Sequence, residues 1–157
     1  MKQHTPTRFQ REERMMLHTT FNLLKLAGAC GQEQGSDTGY DKLATALGGV
    51  SKYGKNTPIP LSRIVESNGL RDALWCLQAT LPEERVKRNR LARLYACDCA
   101  QRMLEIYEQA YPNEPRPRLA IEAARGFVAG TVTQKQLAAA GDAAWAAAGD
   151  AAWAAAG

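Results

Sequence analysis

The chain has 157 residues, 45% of them hydrophobic, which is too apolar for a disordered protein and sufficient for a hydrophobic core. Its formal net charge of +4 is mild and does not by itself assign a polyanionic partner. Apolar runs of about 18 residues, which would span a membrane, do not occur, and the polar N-terminus lacks the apolar stretch of a secretory signal. We therefore expect a cytoplasmic protein.

The N-terminal part of the chain predicts one helix followed by a linker. Thr7 and Gln10 have the spacing of a capping box, and apolar residues recur at helical intervals over 9–26. Gly28 is suited to end this helix, since glycine readily adopts the left-handed backbone of a C-terminal cap. Residues 1–36 are therefore predicted to form an N-terminal helix and a linker.

The next part of the chain predicts short helices separated by glycine and proline. Paired glycines and Asn-Gly are strong helix stops, and proline suits the first turn of a helix. The predicted elements are a helix over 40–47, a loop over 48–60, a helix ending at Ser67 before Asn68-Gly69, and a helix over 70–79.

A long helix is predicted to begin at a capping box of Thr80 and Glu83 and to reach Tyr111, with a break near Asn89. Beyond Leu94 its residues are apolar on nearly all sides. This pattern is typical of a helix that is surrounded by the rest of the fold. We therefore expect the long helix to be buried at the centre of the molecule.

Two further helices complete the predicted fold. Pro117 opens the first and Gly130 closes it, while Thr133 and Gln136 form a capping box for the second, which runs over 134–156. No segment alternates with period two, so the predicted fold class is all-α. It is an orthogonal bundle of six to eight helices with a long Ala/Trp-rich C-terminal helix. The predicted segments are 1–36 (N-terminal helix and linker), 37–133 (helical core) and 134–157 (repeat helix).

The C-terminal helix contains two identical units of eight residues, 141–148 and 149–156. Leu137, Trp145 and Trp153 are eight residues apart, which leaves a drift of about 80° per step around a helix. The large side chains therefore spiral instead of forming the straight seam of a coiled coil. This surface either packs on the protein's own body, binds a partner or allows self-association, and we select Trp145 and Trp153 as partner contacts.

Three arginines in the preceding helix are further candidates for partner contacts. Arg116, Arg118 and Arg125 form a ladder with Glu122 at helical spacing. Such a ladder either forms exposed ion pairs along one helix or presents guanidinium groups to an acidic partner.

One basic cluster lies at the start of the long helix. It consists of Arg85, Lys87, Arg88, Arg90 and Arg93. Charge runs of this kind are mostly solvated helix faces, but they can also bind phosphate groups. The cluster is therefore the candidate surface for an alternative, nucleic-acid-binding function.

Asp98 lies on the apolar side of the long helix with Leu94, and a buried carboxylate there needs a partner. Arg102 follows it by four residues, in the order that favours an ion pair on a helix. We expect Asp98 and Arg102 to form a structural ion pair, with Arg118 or Arg125 as alternative partners.

The residues do not indicate an enzyme or a metal protein. Cys97 and Cys99 point about 200° apart on a helix, so they cannot bind one metal ion together. The only histidines, His4 and His18, lie near the N-terminus, and no phosphate-binding or metal-binding motif is present. We therefore predict no catalytic residues, no metal and no cofactor, and reduced, buried cysteines.

Four segments of the chain are distinctive together: LRDALWC at 70–76, LARLYACDCA at 91–100, RPRLAIEAAR at 116–125 and the alanine–tryptophan tail. They resemble the putative immunity-protein family, an all-helical family of bacteria and their phages. The resemblance covers about residues 37–157 and is most specific in the arginine-containing third segment and the tail. It implies a helical protein that binds and neutralises a toxin or effector without catalysis, and it supplies no catalytic set.

The predicted function is therefore that of an immunity-type protein that caps the surface of a protein partner. Two alternatives stay open. One is a phage-encoded inhibitor of a host defence system, either anti-CRISPR-like or directed at another nuclease. The other is a helical nucleic-acid-binding module.

Overall fold

The computed structural model of the protein describes residues 16–29 and 38–156. Its contacts define two compact units, the first ending at Arg88 and the second beginning at Asn89. The segments 1–36, 37–133 and 134–157 rest on composition and not on contacts, and they stay a prediction.

The first unit consists of short helices and one pair of two-residue strands. The strands are antiparallel, with His18 opposite Pro60 and Thr19 opposite Ile59. The elements are β1 His18–Thr19, α1 Phe21–Leu26, α2 Gly39–Ala46, α3 Val50–Tyr53, β2 Ile59–Pro60, α4 Leu61–Asn68 and α5 Leu70–Trp75, followed by 3₁₀ turns at Cys76–Ala79 and Pro82–Glu84.

The core of the first unit is built around Phe21, which is 1% exposed. Its ring meets the rings of Tyr40 and Tyr53 edge-on, with centroid distances of 5.3 and 6.1 Å. Ile59 and Ile64 are also fully buried in this cluster. Because the helices are short, their stability depends on this shared apolar core more than on helix propensity.

Within the described residues, the predicted N-terminal helix is confirmed over 21–26, where it ends at Leu26 as expected, and is wrong over 16–20. Its first residues and the capping box at Thr7 lie outside the described ranges. Within them, β1 precedes α1, and the Thr20 hydroxyl accepts a hydrogen bond of 3.1 Å from the Leu23 amide at the start of the helix. The threonines favour extended backbone and capping over a helix interior, which explains the late start.

Two other sequence predictions for this unit are also corrected. The predicted loop over 48–60 contains the helical turn α3. The capping box at Thr80 does not form, because the Thr80 hydroxyl donates to the carbonyl of Leu77 instead. The glycine stops were predicted correctly: Gly48 and Gly69 have φ values of 78° and 89°.

The second unit contains three long helices. They are α6 Arg85–Ala110, which begins before the unit boundary, α7 Arg116–Ala129 and α8 Gln134–Ala156. Helix α6 is continuous over 26 residues, so the predicted break near Asn89 does not occur. Gly130 ends α7 in the left-handed conformation, and Thr133 with Gln136 forms the predicted capping box. Together the two units confirm the all-α fold class.

Helix α6 is not the buried central helix that its composition predicts. Cys97 and Leu104 form a buried cluster with Ile121 of α7. On other sides of α6, Tyr95, Met103 and Ile106 are 42%, 61% and 62% exposed. Apolar composition overstates burial here because only one side of the helix is covered by neighbouring elements.

Among the helices within the described ranges, none is both long and apolar enough to cross a membrane.

Candidate protein-binding surface

Helix α8 packs against α7, and the residues that it buries or half-buries are mostly alanines. Leu137, Ala140, Ala144, Ala147 and Ala151 recur at intervals of three and four and are half-buried or buried. Ala147 is only 1% exposed. Small side chains allow two helix backbones to approach closely, so this side of α8 is fixed in place.

The other side of α8 carries two exposed indoles. Trp145 and Trp153 are 81% and 83% exposed, so the described structure packs neither ring against the protein's own body. Eight residues separate them along the helix, or about 12 Å. Two large apolar rings that are exposed to solvent on the same ordered helix indicate an interaction surface.

The three candidate arginines point to neighbouring elements instead of forming a ladder. Arg116 binds Glu114 in the preceding connector, and its Nη2 lies 2.8 Å from Oδ2 of Asp150 in α8. Arg118 Nε donates to Glu108 of α6 at 2.8 Å. The predicted ladder through Glu122 is therefore corrected, because carboxylates on adjacent helices are nearer partners than those on α7 itself.

Arg125 also corrects the predicted ion pair of Asp98. Its Nη2 donates to Oδ1 of Asp98 at 2.8 Å, whereas no ion pair between Asp98 and Arg102 occurs in the described structure. Packing of Cys97 on Ile121 brings α6 and α7 together at this level. The Asp98 side chain is 59% exposed, so the carboxylate is a surface partner of Arg125 and not a buried acid.

These ion pairs tie α7 to both of its neighbours. The hydrogen bonds to Glu114 and then to Asp150 raise the pKa of Arg116, and the bond from Arg116 lowers the pKa of Glu114. The bond to Glu108 likewise raises the pKa of Arg118. The guanidinium groups therefore position the helices that display the indoles, and direct contact with a partner stays a prediction for them.

Some members of the basic cluster have structural contacts in their own unit. In the first unit, the Lys87 ammonium donates to the carbonyl of Met16, and Arg88 Nη1 donates to the carbonyl of Leu77 at 3.3 Å. In the second unit, the Arg93 guanidinium lies 4.7 Å from the centre of the Phe127 ring. Arg85 and Arg90 are exposed.

Sequence reasoning missed one interaction network in the first unit. Glu84 accepts hydrogen bonds from the backbone amide of His18 at 2.7 Å and from its Nδ1 at 3.1 Å. Lys87 lies 3.3 Å from the same carboxylate. Burial acts to raise the pKa of Glu84, but the hydrogen bonds from His18 and Lys87 outweigh it and lower the pKa. No local sequence pattern joins residues this far apart.

The described residues contain no group of three or more His, Cys, Asp or Glu side chains placed to hold a metal ion. The prediction of reduced, buried cysteines is confirmed for Cys76 and Cys97 and is wrong for Cys99, which is exposed because it points away from Cys97 on the helix; Cys30 lies outside the described residues. A pocket of about 320 Å³ in the first unit is lined in part by Asp72, Trp75 and Cys76. Burial, followed by the charge of Asp72, raises the pKa of the Cys76 thiol to about 12, so it stays protonated and is a poor nucleophile.

Residues 83–156 match the family described as Imm-5 like putative immunity protein. The match confirms the predicted resemblance for α6, α7 and α8, whereas the resembling string at 70–76 lies outside it. Comparison with curated proteins and with solved structures gave no match.

Proposed function

We propose that this chain is an immunity-type protein of the cytoplasm, which neutralises a toxin or effector protein by covering its functional surface without catalysis. The family match supports this function, and it spans the three helices of the second unit. The observation that carries the proposal is the exposure of Trp145 and Trp153 on the outer side of α8.

Exposed tryptophans are costly in a protein that has no use for them. Each indole removes some 150–250 Å² of apolar surface from water when a partner covers it. Tryptophan and arginine are also the residues that most often dominate the energy of protein interfaces. We call the outer side of α8, which carries Trp145 and Trp153, the ridge. Its two tryptophans are residues of the type that forms binding hot spots.

The ridge is also organised before any partner arrives. Its helix begins at the Thr133–Gln136 capping box, and the hydroxyl of Tyr111 lies 3.4 Å from the carbonyl of Ala151. The pair of Arg116 and Asp150 joins α8 to the start of α7. Because little ordering is needed on binding, more of the contact energy remains as affinity. A helix of this kind suits an apolar groove on the partner.

Two kinds of partner suit this ridge: a second copy of the chain and a different protein. The proposed function is binding of the different protein. The test uses toxins encoded beside this chain's gene, each expressed in bacteria together with the wild-type chain. We expect the chain to restore growth against one toxin and to co-purify with it.

The double variant Trp145→Ala/Trp153→Ala should lose this protection, with a drop in affinity of at least about 100-fold if both indoles are hot spots. The matched control is Val86→Ala, since Val86 is an apolar residue of α6 that is 81% exposed. Protection by the double variant equal to wild type would remove the indoles from the proposal. Failure of the wild-type chain against every neighbouring toxin would overturn the function itself.

A further inference from the structure

The pocket of the first unit has the size and the lining of a small-molecule site. It has a volume of about 320 Å³ and is lined by residues of α1, α2, α4 and α5. Leu24, Leu43 and Ile64 form an apolar floor, and each is at most 2% exposed. A cavity of about 150 Å³ is enough to hold benzene. This pocket therefore has room for an aromatic ring together with a polar head group.

The acidic residue of the lining, Asp72, is held in place by Asn68. Oδ2 of Asp72 accepts a hydrogen bond of 3.1 Å from Nδ2 of Asn68. The same nitrogen donates to the carbonyl of Gly39 at 2.6 Å, and Oδ1 of Asn68 accepts from the hydroxyl of Ser67 at 2.7 Å. The Asn68 amide is thus fixed on both sides, and it fixes the carboxylate. Oδ1 of Asp72 keeps the capacity to accept hydrogen bonds from a ligand.

Gly39 leaves space for this carboxylate. A Cβ atom at position 39 would lie 2.6 Å from Oδ2 of Asp72 and 3.1 Å from Nδ2 of Asn68. Gly39 does not have a positive φ, so its backbone conformation does not require glycine. The missing side chain at the start of α2 therefore allows Asp72 and Asn68 to take these positions beside the pocket.

A basic residue of the lining lies next to the acidic one. Nε of Arg71 is 3.7 Å from Oδ1 of Asp72, and the Arg71 side chain is 98% exposed. A pair this exposed contributes little to stability, so a ligand can replace it at small cost. The ammonium of Lys25 already lies over the Tyr40 ring, 5.6 Å from its centre. Trp75, which is 39% exposed, is therefore the aromatic residue of the lining that we expect a ligand to contact.

An α-amino acid has the matching arrangement of groups, because one carbon carries its ammonium, its carboxylate and its side chain. An amine alone would leave Arg71 without a partner, and a carboxylic acid alone would be repelled by Asp72. We propose that the pocket binds a free α-amino acid with a large apolar side chain, its ammonium on Asp72 and its carboxylate on Arg71. Guanidinium groups bind carboxylates strongly through paired hydrogen bonds. This inference goes beyond the proposed function, since the pocket belongs to the first unit and the family match begins at residue 83.

The experiment is an NMR titration of the isotope-labelled full-length chain with L-phenylalanine. Two further titrations use phenethylamine, which lacks the carboxylate, and 3-phenylpropionate, which lacks the ammonium. We expect phenylalanine to shift the amide signals of Leu43, Ile64 and Trp75, with a dissociation constant of about 0.1–1 mM, as is usual for a ligand of this size. Both analogues should bind at least about 10-fold more weakly, because each loses one charged contact.

Three variants test the assigned contacts. Asp72→Asn keeps the acceptor for Asn68 but removes the charge, and it should weaken phenylalanine binding at least about 10-fold. Gly39→Ala keeps the charge but displaces the carboxylate, so it should weaken binding in the same way. Arg71→Gln should weaken the binding of phenylalanine and leave that of phenethylamine unchanged. The matched control is Glu66→Gln, which removes a 63% exposed carboxylate of α4 and should keep wild-type affinity.

Three results would overturn the proposal. They are the absence of shifts at the pocket up to about 10 mM phenylalanine, an analogue that binds as tightly as phenylalanine, and wild-type affinity in Asp72→Asn. The spectrum of each variant shows directly whether it is folded, and Gly39→Ala replaces Asp72→Asn in the comparison if the latter is not. None of these results touches the proposed function, because toxin neutralisation is measured separately with the tryptophan variants.

Discussion

At the scale of single residues, the structure distinguishes side chains that are exposed on the surface from side chains that hold the helices together. Trp145 and Trp153 could be selected from the sequence because a large ring in an alanine helix is a local feature; the structure exposes both rings, and their contact with a partner stays a prediction. The pair of Arg116 with Asp150 was not predicted, and Arg125 was only an alternative partner for Asp98, because both pairs form through helix packing. Sequence spacing predicts contacts along one helix, whereas nearer carboxylates on other helices decide the pairing.

Glu84 gives a prediction for the pH dependence of stability. Its pKa is lowered in the folded protein by hydrogen bonds from His18 and Lys87. The unfolded chain therefore binds the proton more readily, and the stabilisation present near neutral pH is lost as pH falls below about 4.3. Glu84→Gln should lower the free energy of unfolding by about 1–3 kcal/mol at pH 7, and by less at pH 3.5.

Urea unfolding of wild type and Glu84→Gln between pH 3.5 and 7 measures this difference. The control is Glu66→Gln, since Glu66 is 63% exposed and forms only a surface pair with Arg63. A gap between Glu84→Gln and wild type that stays constant over this pH range would contradict the assignment.

At the scale of elements, local signals set most helix ends and tertiary contacts set burial. Gly69, Gly130 and the Thr133–Gln136 cap were predicted because backbone conformation and capping depend on a few neighbouring residues. The burial of α6 was predicted wrongly, because burial depends on which elements surround a helix. Met103 shows the difference: its type favours a core, yet it is 61% exposed.

The contact between α7 and α8 gives a prediction at this scale. Ala147 is 1% exposed on the packed side of α8, and leucine there would force the helices apart. Ala147→Leu should lower the free energy of unfolding by about 1–3 kcal/mol, the usual cost of overpacking. Thermal and urea unfolding followed by circular dichroism measure the change.

Ala146→Leu is the matched control, because Ala146 is the preceding residue and is exposed. Surface changes of this kind usually alter stability by less than about 0.5 kcal/mol. Equal destabilisation by the two leucines would mean that α8 does not pack on α7 through the side that contains Ala147.

At the scale of the whole molecule, the charge and fold class could be anticipated but the division into units could not. Composition and periodicity are properties of segments, and they indicated helices throughout. The boundary after Arg88 falls inside the continuous helix α6, where no change of composition marks it. The family match begins at residue 83 and so includes the whole of that helix.

The nucleic-acid alternative is tested on the intact chain. Because Lys87, Arg88 and Arg93 make structural contacts, we expect no stable complex with duplex DNA or RNA at about 50 mM salt in a gel-shift assay. A complex that weakens steeply with salt and is lost in Arg85→Ala/Arg90→Ala would support the alternative. Glu105→Ala, another exposed position on α6, is the control for changes at the helix surface.

The rotation of each eight-residue unit around α8 also limits how many such units the helix can contain. Genes with identical adjacent units gain or lose a unit by replication slippage, and alanine-rich helix tolerates the change locally. Yet each unit places its large side chain about 80° farther around the helix than the one before. Leu137 is therefore half-buried, whereas Trp145 and Trp153 point outward. A third unit would turn its tryptophan back toward the flank that faces α7. Two units therefore give the longest aromatic ridge that this helix can direct away from the rest of its own unit.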